Sequence, residues 1–185
     1  MKADHVASDL ESIVLTEEAI IRRVGELARQ IETDYDGKDL VLVGILGGAA
    51  TATVDLARAM ERHVEITWMA IRSYGMGVRS SGSVRLLKDI DIDLSGRNVV
   101  IVDGIIDTGL TAQWVVSNIT HRGVASVQMC ALFRKPSAPA DAKYIGFDVP
   151  DGMIVGYGLD YAGLYRNLRC CAVLAPHAIR AAVKR

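Results

Sequence analysis

Two carboxylates four residues apart, Asp103 and Asp107, stand directly ahead of Thr108-Gly109-Leu110-Thr111. Threonine hydroxyls, a glycine and the free backbone N–H groups of a helix start suit a bound phosphate. Carboxylates repel phosphate, so this proximity needs something to lie between the two charges. A sugar, whose hydroxyls donate to carboxylates, would serve, and so would a metal ion. Gly109 lets the backbone come close to such a ligand. The stretch is not a Walker loop, because GxxxxGK[ST] is absent and no lysine lies within it; nor is it GxGxxG. An ordinary strand-turn-helix with a capping Asp or Thr accounts for Thr-Gly alone. It does not account for a buried run, two acids and TGLT in succession.

The elements that must present these residues are visible as patterns. VVIV (99–102) is a short apolar run that reads as a strand buried on both faces, and it delivers Asp103 to its carboxyl end. A helix is expected from about Thr111 to Arg122. DLVLVGIL (39–46) reads as a second fully buried strand, followed by Gly47-Gly48 and a helix over roughly Ala49 to Arg62. Thr16 with two acids behind it opens another helix, whose apolar positions are Ile20, Ile21, Val24, Leu27, Ala28 and Ile31. VEITWMAIRSY (64–74), SVQMCALFR (126–134) and YIGFDV (144–149) read as further strands. GMGVRSSG (75–82) holds almost nothing to bury and is expected to move unless a ligand orders it. Strands alternating with helices predict an α/β fold, with a mostly parallel sheet covered by helices on both faces. In such sheets ligands sit beyond the carboxyl ends of the strands. The chain is read as one domain over 1–185, with a core of about 36–135. A small hood subdomain would come from the N-terminal segment and about 136–185.

The composition narrows the function classes. A chain of 185 residues with 50% hydrophobic and 23% charged residues can bury a full core. Its net charge of −1 gives no global attraction to DNA, RNA or an anionic membrane. No apolar stretch approaches the roughly 20 residues of a membrane span, and the N-terminus lacks a signal-peptide segment, so the cytoplasm is expected. Cys130, Cys170 and Cys171 fit no disulfide framework or CxxC metal pattern and read as buried thiols.

The stretch 99–111 resembles the phosphoribosyl diphosphate motif of type I phosphoribosyltransferases. SYGMGVRSSGSVRLLKDIDIDLSGRNVVIVDGIIDTGLT (73–111) and RKPSAPADAKYIGFDVPDGMIVGYGLDYAGLYRNL (134–168) narrow the likeness to the hypoxanthine-guanine phosphoribosyltransferases. The resemblance extends from about Ile13 to Pro176. It implies purine salvage: transfer of the phosphoribosyl group of 5-phosphoribosyl 1-diphosphate to N9 of a 6-oxopurine, giving IMP or GMP and diphosphate. Mg2+ and a homodimer or homotetramer are implied with it.

The resemblance also assigns roles. Asp107 falls at the catalytic acid/base position near purine N7. Thr108, Gly109, Leu110 and Thr111 fall at the 5′-phosphate loop, and Asp103 and Gly104 at the ribose. Leu46, Gly47, Gly48, Ser73, Tyr74 and Arg166 fall at the diphosphate, with a cis peptide after the leucine. Ile106, Lys135, Met153, Ile154 and Asp160 fall around the purine. Lys135 is expected to read the 6-oxo group, and Asp103 and Asp160 to contact the metal.

Gly104 stands where the family has a second acid, Gly47 where lysine is frequent, and Met153 where an aromatic usually stacks on the base. An acid restored at position 104 is expected to tighten phosphoribosyl diphosphate binding. The alternative reading is a weakly active or inactive relative that binds purine nucleotide or phosphoribosyl diphosphate in a regulatory role.

Overall fold

The computed structural model describes residues 1–73, 84–136, 138 and 142–182. Tyr74 and the expected mobile segment 75–82 lie outside the described residues.

A 3-10 helical segment, Ala3–Asp9, leads into β1 (Leu10–Leu15) and α1 (Glu17–Asp34). The Thr16 hydroxyl accepts from the Ala19 N–H at 3.3 Å, and Glu17 and Glu18 favour the positive end of the helix. Ile20, Val24, Leu27, Ala28 and Ile31 are buried along one face. Each large aliphatic side chain among them contributes about 1.5–3 kcal/mol relative to exposure. Ile21, expected on that face, is 55% exposed, because a 3.6-residue repeat turns it away from the stripe.

Then follow β2 (Val41–Leu46), α2 (Ala50–Ala59), β3 (Glu65–Ser73), β4 (Val84–Lys88), β5 (Asn98–Ile106), α3 (Leu110–Thr120), β6 (Ser126–Arg134) and β7 (Tyr144–Asp148). The helix expected to reach Arg62 stops at Ala59. Beyond it the Glu61 N–H bonds the Glu32 carboxylate at 2.7 Å, and Arg62 donates to the carbonyls of Tyr35 and Lys38. These bonds tie the chain to the end of α1 instead of continuing the helix.

Six strands form one sheet in the order β4-β3-β2-β5-β6-β7, parallel throughout except for β4, which runs antiparallel on β3. From β2 the chain moves outward to β3; from β5 it moves the other way, to β6 and β7. The carboxyl ends of β2 and β5 therefore flank the crevice where strand order reverses, which is where open α/β sheets bind ligands. Val99, Val100, Ile101 and Val102 are buried, as are Val41, Leu42 and Val43, so both runs are fully internal. At the β7 edge Arg23 of α1 donates to the Gly146 and Ile145 carbonyls at 3.0 and 2.7 Å. That covers part of an otherwise open strand.

A second sheet of three strands, β1-β9-β8, combines Leu10–Leu15 with β8 (Ile154–Val155) and β9 (Cys171–Leu174), all antiparallel. The chain continues into α4 (Pro176–Ala182). Cys130, Cys170 and Cys171 are buried and form no disulfide. Among the described residues no helix is long and apolar enough to cross a membrane.

Asp34, at the end of α1, accepts from the hydroxyl of fully buried Tyr144 and from Lys143, each at 2.8 Å. Lys143 first, then Tyr144, holds its carboxyl below the ordinary value of 3.8. A depressed folded-state pKa stabilises above the unfolded value, and that stability is lost as pH falls through the folded one. Asp34→Asn is therefore expected to cost about 1 kcal/mol at pH 7, solvent screening included. The deficit should shrink as pH drops below 3.8. Urea unfolding of both proteins between pH 7 and pH 3 checks the sign; a deficit independent of pH would remove Asp34 as its source.

Candidate active site

At the end of β5, Asp103 is half-buried and Gly104 is buried, while Asp107 and Thr108 emerge into solvent. Burial pushes the Asp103 carboxyl up to about 6, opposed by hydrogen bonds from the backbone N–H groups of Gly104 and Ile105. Gly109 caps α3 with φ +79, a left-handed conformation that suits glycine, and no side chain caps the helix. The Gln113 N–H bonds the Gly109 carbonyl at 2.9 Å. The opening N–H groups and the Thr108 and Thr111 hydroxyls thus form the end of a strand-turn-helix in which neither Asp nor Thr is spent on capping. Leu110 is 51% exposed and gives this loop no core anchor.

Parallel pairing of β5 with β6 sets Ile106 opposite Arg134, and the Lys135 N–H bonds the Ile106 carbonyl at 3.0 Å. This register brings together two residues 28 positions apart. The Lys135 ammonium donates to Asp107 Oδ2 at 3.2 Å. Lys135 is only 17% exposed and Asp107 56%, so the pair lies at the mouth of the crevice with the lysine beneath. Ile106 is buried directly before Asp107.

From β2, Leu46 and Gly47 are joined by a cis peptide bond, and Gly48 follows. The Arg166 guanidinium lies over Gly47: a Cβ placed there would sit 3.4 Å from its Cζ. Arg166 is itself held by Asp160 Oδ1 at 2.6 Å and the Gly158 carbonyl at 2.8 Å, and Asp160 Oδ2 accepts the Gly163 N–H at 2.9 Å. Three tyrosines fix the segment that carries these groups. Tyr157 donates to Asp55 of α2 at 2.6 Å, Tyr161 to the Ile179 carbonyl at 2.9 Å, and Tyr165 to Asp9 at 2.9 Å. Tyr157 and Tyr165 hold φ of +50 and +72, an uncommon backbone state for non-glycine residues.

Ile154 is buried in β8 against the main core, whereas Met153 is half-buried among Val155, Leu168 and Leu174 of the small sheet's core. Ser73 closes β3, and Tyr74 lies outside the described residues. Contacts thus join the expected site residues in two groups: Asp107 with Lys135 where β5 and β6 end, and the Leu46–Gly48 loop with Gly104, Arg166 and Asp160. Gly158 and Leu159, which pack onto that loop, are not among the residues expected at the site. The only available signal was the alternation of glycines at 156 and 158.

Residues 12–162 match the family model described as the phosphoribosyl transferase domain. A hypoxanthine-guanine phosphoribosyltransferase of Mycobacterium bovis is 43% identical over 183 residues, covering 94% of this chain and 91% of the relative. This chain belongs to the hypoxanthine-guanine phosphoribosyltransferases. A relative of the same name from Streptococcus agalactiae is 40% identical, over 90% of this chain and 94% of its own length. The crystal structure of a hypoxanthine phosphoribosyltransferase from Staphylococcus aureus superposes with a TM-score of 0.88 at 39% identity, covering 94% and 96% of the two chains. The α/β architecture with its mainly parallel sheet is that of this family.

Among the described residues no group of three His, Cys, Asp or Glu side chains could hold a metal unaided. For a hypoxanthine-guanine phosphoribosyltransferase that is compatible with Mg2+, which is commonly bound through one or two carboxylates together with substrate phosphates. Asp103 suits such an ion, since its burial favours the neutral acid unless a cation is near. Asp160 is already paired with Arg166 and would share its charge.

Proposed function

We propose that the protein transfers the phosphoribosyl group of 5-phosphoribosyl 1-diphosphate to N9 of hypoxanthine or guanine, releasing diphosphate and forming IMP or GMP in purine salvage. The observation that carries the reading is the Asp107–Lys135 pair at the strand-order reversal, 3.2 Å apart and beside an uncapped helix start. Two curated relatives at 40% and 43% identity carry transferase names, and nothing among the relatives reported favours the binding-only alternative.

The site residues follow from chemistry. The backbone N–H groups at Thr108–Thr111 and the two threonine hydroxyls receive the 5′-phosphate. Asp103 accepts the ribose hydroxyls. Leu46, Gly47, Gly48 and Arg166 receive the diphosphate, and Ser73 and Tyr74 are assigned to the same subsite. Lys135 donates to the 6-oxo group, which an adenine amino group cannot accept. Asp107 takes the purine N7 proton as N9 attacks the anomeric carbon and diphosphate departs. Positive charge developing on the ribose is stabilised by these carboxylates, and the crevice holds donor and acceptor in line. Mg2+, held by Asp103 and Asp160 with the diphosphate oxygens, would neutralise leaving-group charge. Ile106, Met153 and Ile154 are assigned to the base by the family likeness, with Met153 offering it only what its packing against Val155, Leu168 and Leu174 leaves exposed. The active form is a homodimer or homotetramer in the cytoplasm.

The test is an ultraviolet assay with Mg2+, phosphoribosyl diphosphate and, in turn, hypoxanthine, guanine, xanthine and adenine. Nucleotide formation on hypoxanthine and guanine but not adenine is expected. Absence of turnover on every base would overturn the reading.

A further inference from the structure

Gly104 is more than a missing acid. A Cβ built on it would lie 2.7 Å from the Gly48 carbonyl oxygen, 2.9 Å from the Gly48 carbonyl carbon and 2.9 Å from Cδ2 of Leu159. A Cβ built on Gly158, whose φ is +101, would lie 2.4 Å from the same Gly48 oxygen. Approaches this close do not occur between real atoms, so the Gly48 carbonyl rests in a space that two absent side chains leave open. The Leu159 side chain could turn aside. The carbonyl could not, because it belongs to the backbone of the loop.

We infer that Gly104 is a positioning residue: it seats the Leu46–Gly48 loop on the end of β5 and so sets the diphosphate subsite. The inference rests on the proposed assignment of that loop to phosphoribosyl diphosphate. Three segments meet at the contact. Gly48 belongs to the loop after β2, Gly104 follows Asp103, and Gly158 supplies the carbonyl that holds the Arg166 guanidinium at 2.8 Å. Arg166 in turn covers Gly47, one residue before the seated carbonyl. A side chain at 104 must lift the loop away from Asp103 and from Arg166 together. The Asp107–Lys135 pair is anchored separately, through the Lys135 N–H bond to Ile106, and stays where it is. The expected benefit of an acid at 104 is therefore reversed: aspartate brings a Cβ into the Gly48 carbonyl before its carboxylate reaches anything.

The experiment compares Gly104→Ala and Gly104→Asp with the parent enzyme, measuring KM for phosphoribosyl diphosphate, KM for guanine, kcat and Tm. Both variants should raise KM for phosphoribosyl diphosphate about tenfold or more, with KM for guanine within about threefold and Tm close to the parent. Adding Leu159→Ala to Gly104→Ala should restore little, because the carbonyl remains. Tighter or unchanged phosphoribosyl diphosphate binding in Gly104→Asp would overturn the inference, and so would full recovery in the double variant or an equal rise in both KM values. Hydrogen exchange on the parent protein with Mg2+ and diphosphate needs no variant to fold. It should protect 46–51 and 158–166 together, and protection of the first segment alone also refutes the seat. An active parent with indifferent Gly104 variants refutes the seat alone; an inactive parent refutes the function.

Discussion

Asp107→Asn is expected to lower kcat by 10²–10⁴-fold, the usual contribution of a positioned general base. The amide is nearly the same size and its oxygen can still accept from Lys135, which now stands 3.2 Å from Oδ2. Geometry at the mouth of the crevice is thus kept, and what disappears is the capacity to take a proton. Asp107 is 56% exposed at its side chain, so a change from carboxylate to amide there leaves the buried core as it is. Binding of the nucleotide product, followed by calorimetry, should change by no more than about threefold. That combination separates a chemical role from a structural one, because removing an interaction made only in the transition state lowers kcat and leaves binding in place. A variant that turned over at near-parent rate would show that another group, or solvent, accepts the N7 proton.

The residues of this pair were legible in the sequence for different reasons. Asp107 is marked by its neighbours: a run buried on both faces, a second acid and TGLT lie within a few residues of it, and the structure places them in that order along β5 and into α3. Lys135 has no such local mark. It meets Asp107 because parallel β5 and β6 end in register, a relation that follows from the βαβ pattern and not from the lysine's surroundings.

The small sheet was harder to see. Its β8 is two residues long, and β1 pairs with a strand more than 150 positions away, from Leu10 to Leu174, so no local periodicity announces either. The segment around β1 is expected only as part of a hood, and its strand is defined by pairing with β9. α4 was not anticipated, although proline at a helix start is a recognisable signal. Gly104 shows the limit most clearly. A sequence reveals that a side chain is missing, which reads as the loss of a ligand. Only the packing reveals that a neighbouring carbonyl fills the space, and that turns a deficit into a fit.

Lys135→Ala should raise KM for hypoxanthine and guanine by about 10–100-fold. A hydrogen bond to a charged group contributes about 1.5–3 kcal/mol, and each 1.4 kcal/mol is tenfold. Lys135 is only 17% exposed, so its ammonium is not free to be replaced by bulk water without loss. The same substitution frees Asp107 from its only ion-pair partner among the described residues, so kcat should fall as well, since the carboxylate loses the contact that orients it. The discriminating quantity is the comparison with adenine. If the ammonium reads a carbonyl acceptor at position 6, it contributes nothing favourable toward an amino group, and competitive inhibition by adenine should stay constant or strengthen while hypoxanthine binding weakens. Inhibition constants for the two bases, measured on parent and variant at saturating phosphoribosyl diphosphate, give that ratio directly. Equal weakening for both would mean that Lys135 supports the pocket's shape or Asp107's position without reading the base, and selection of 6-oxopurines would then have to come from backbone groups near Ile154.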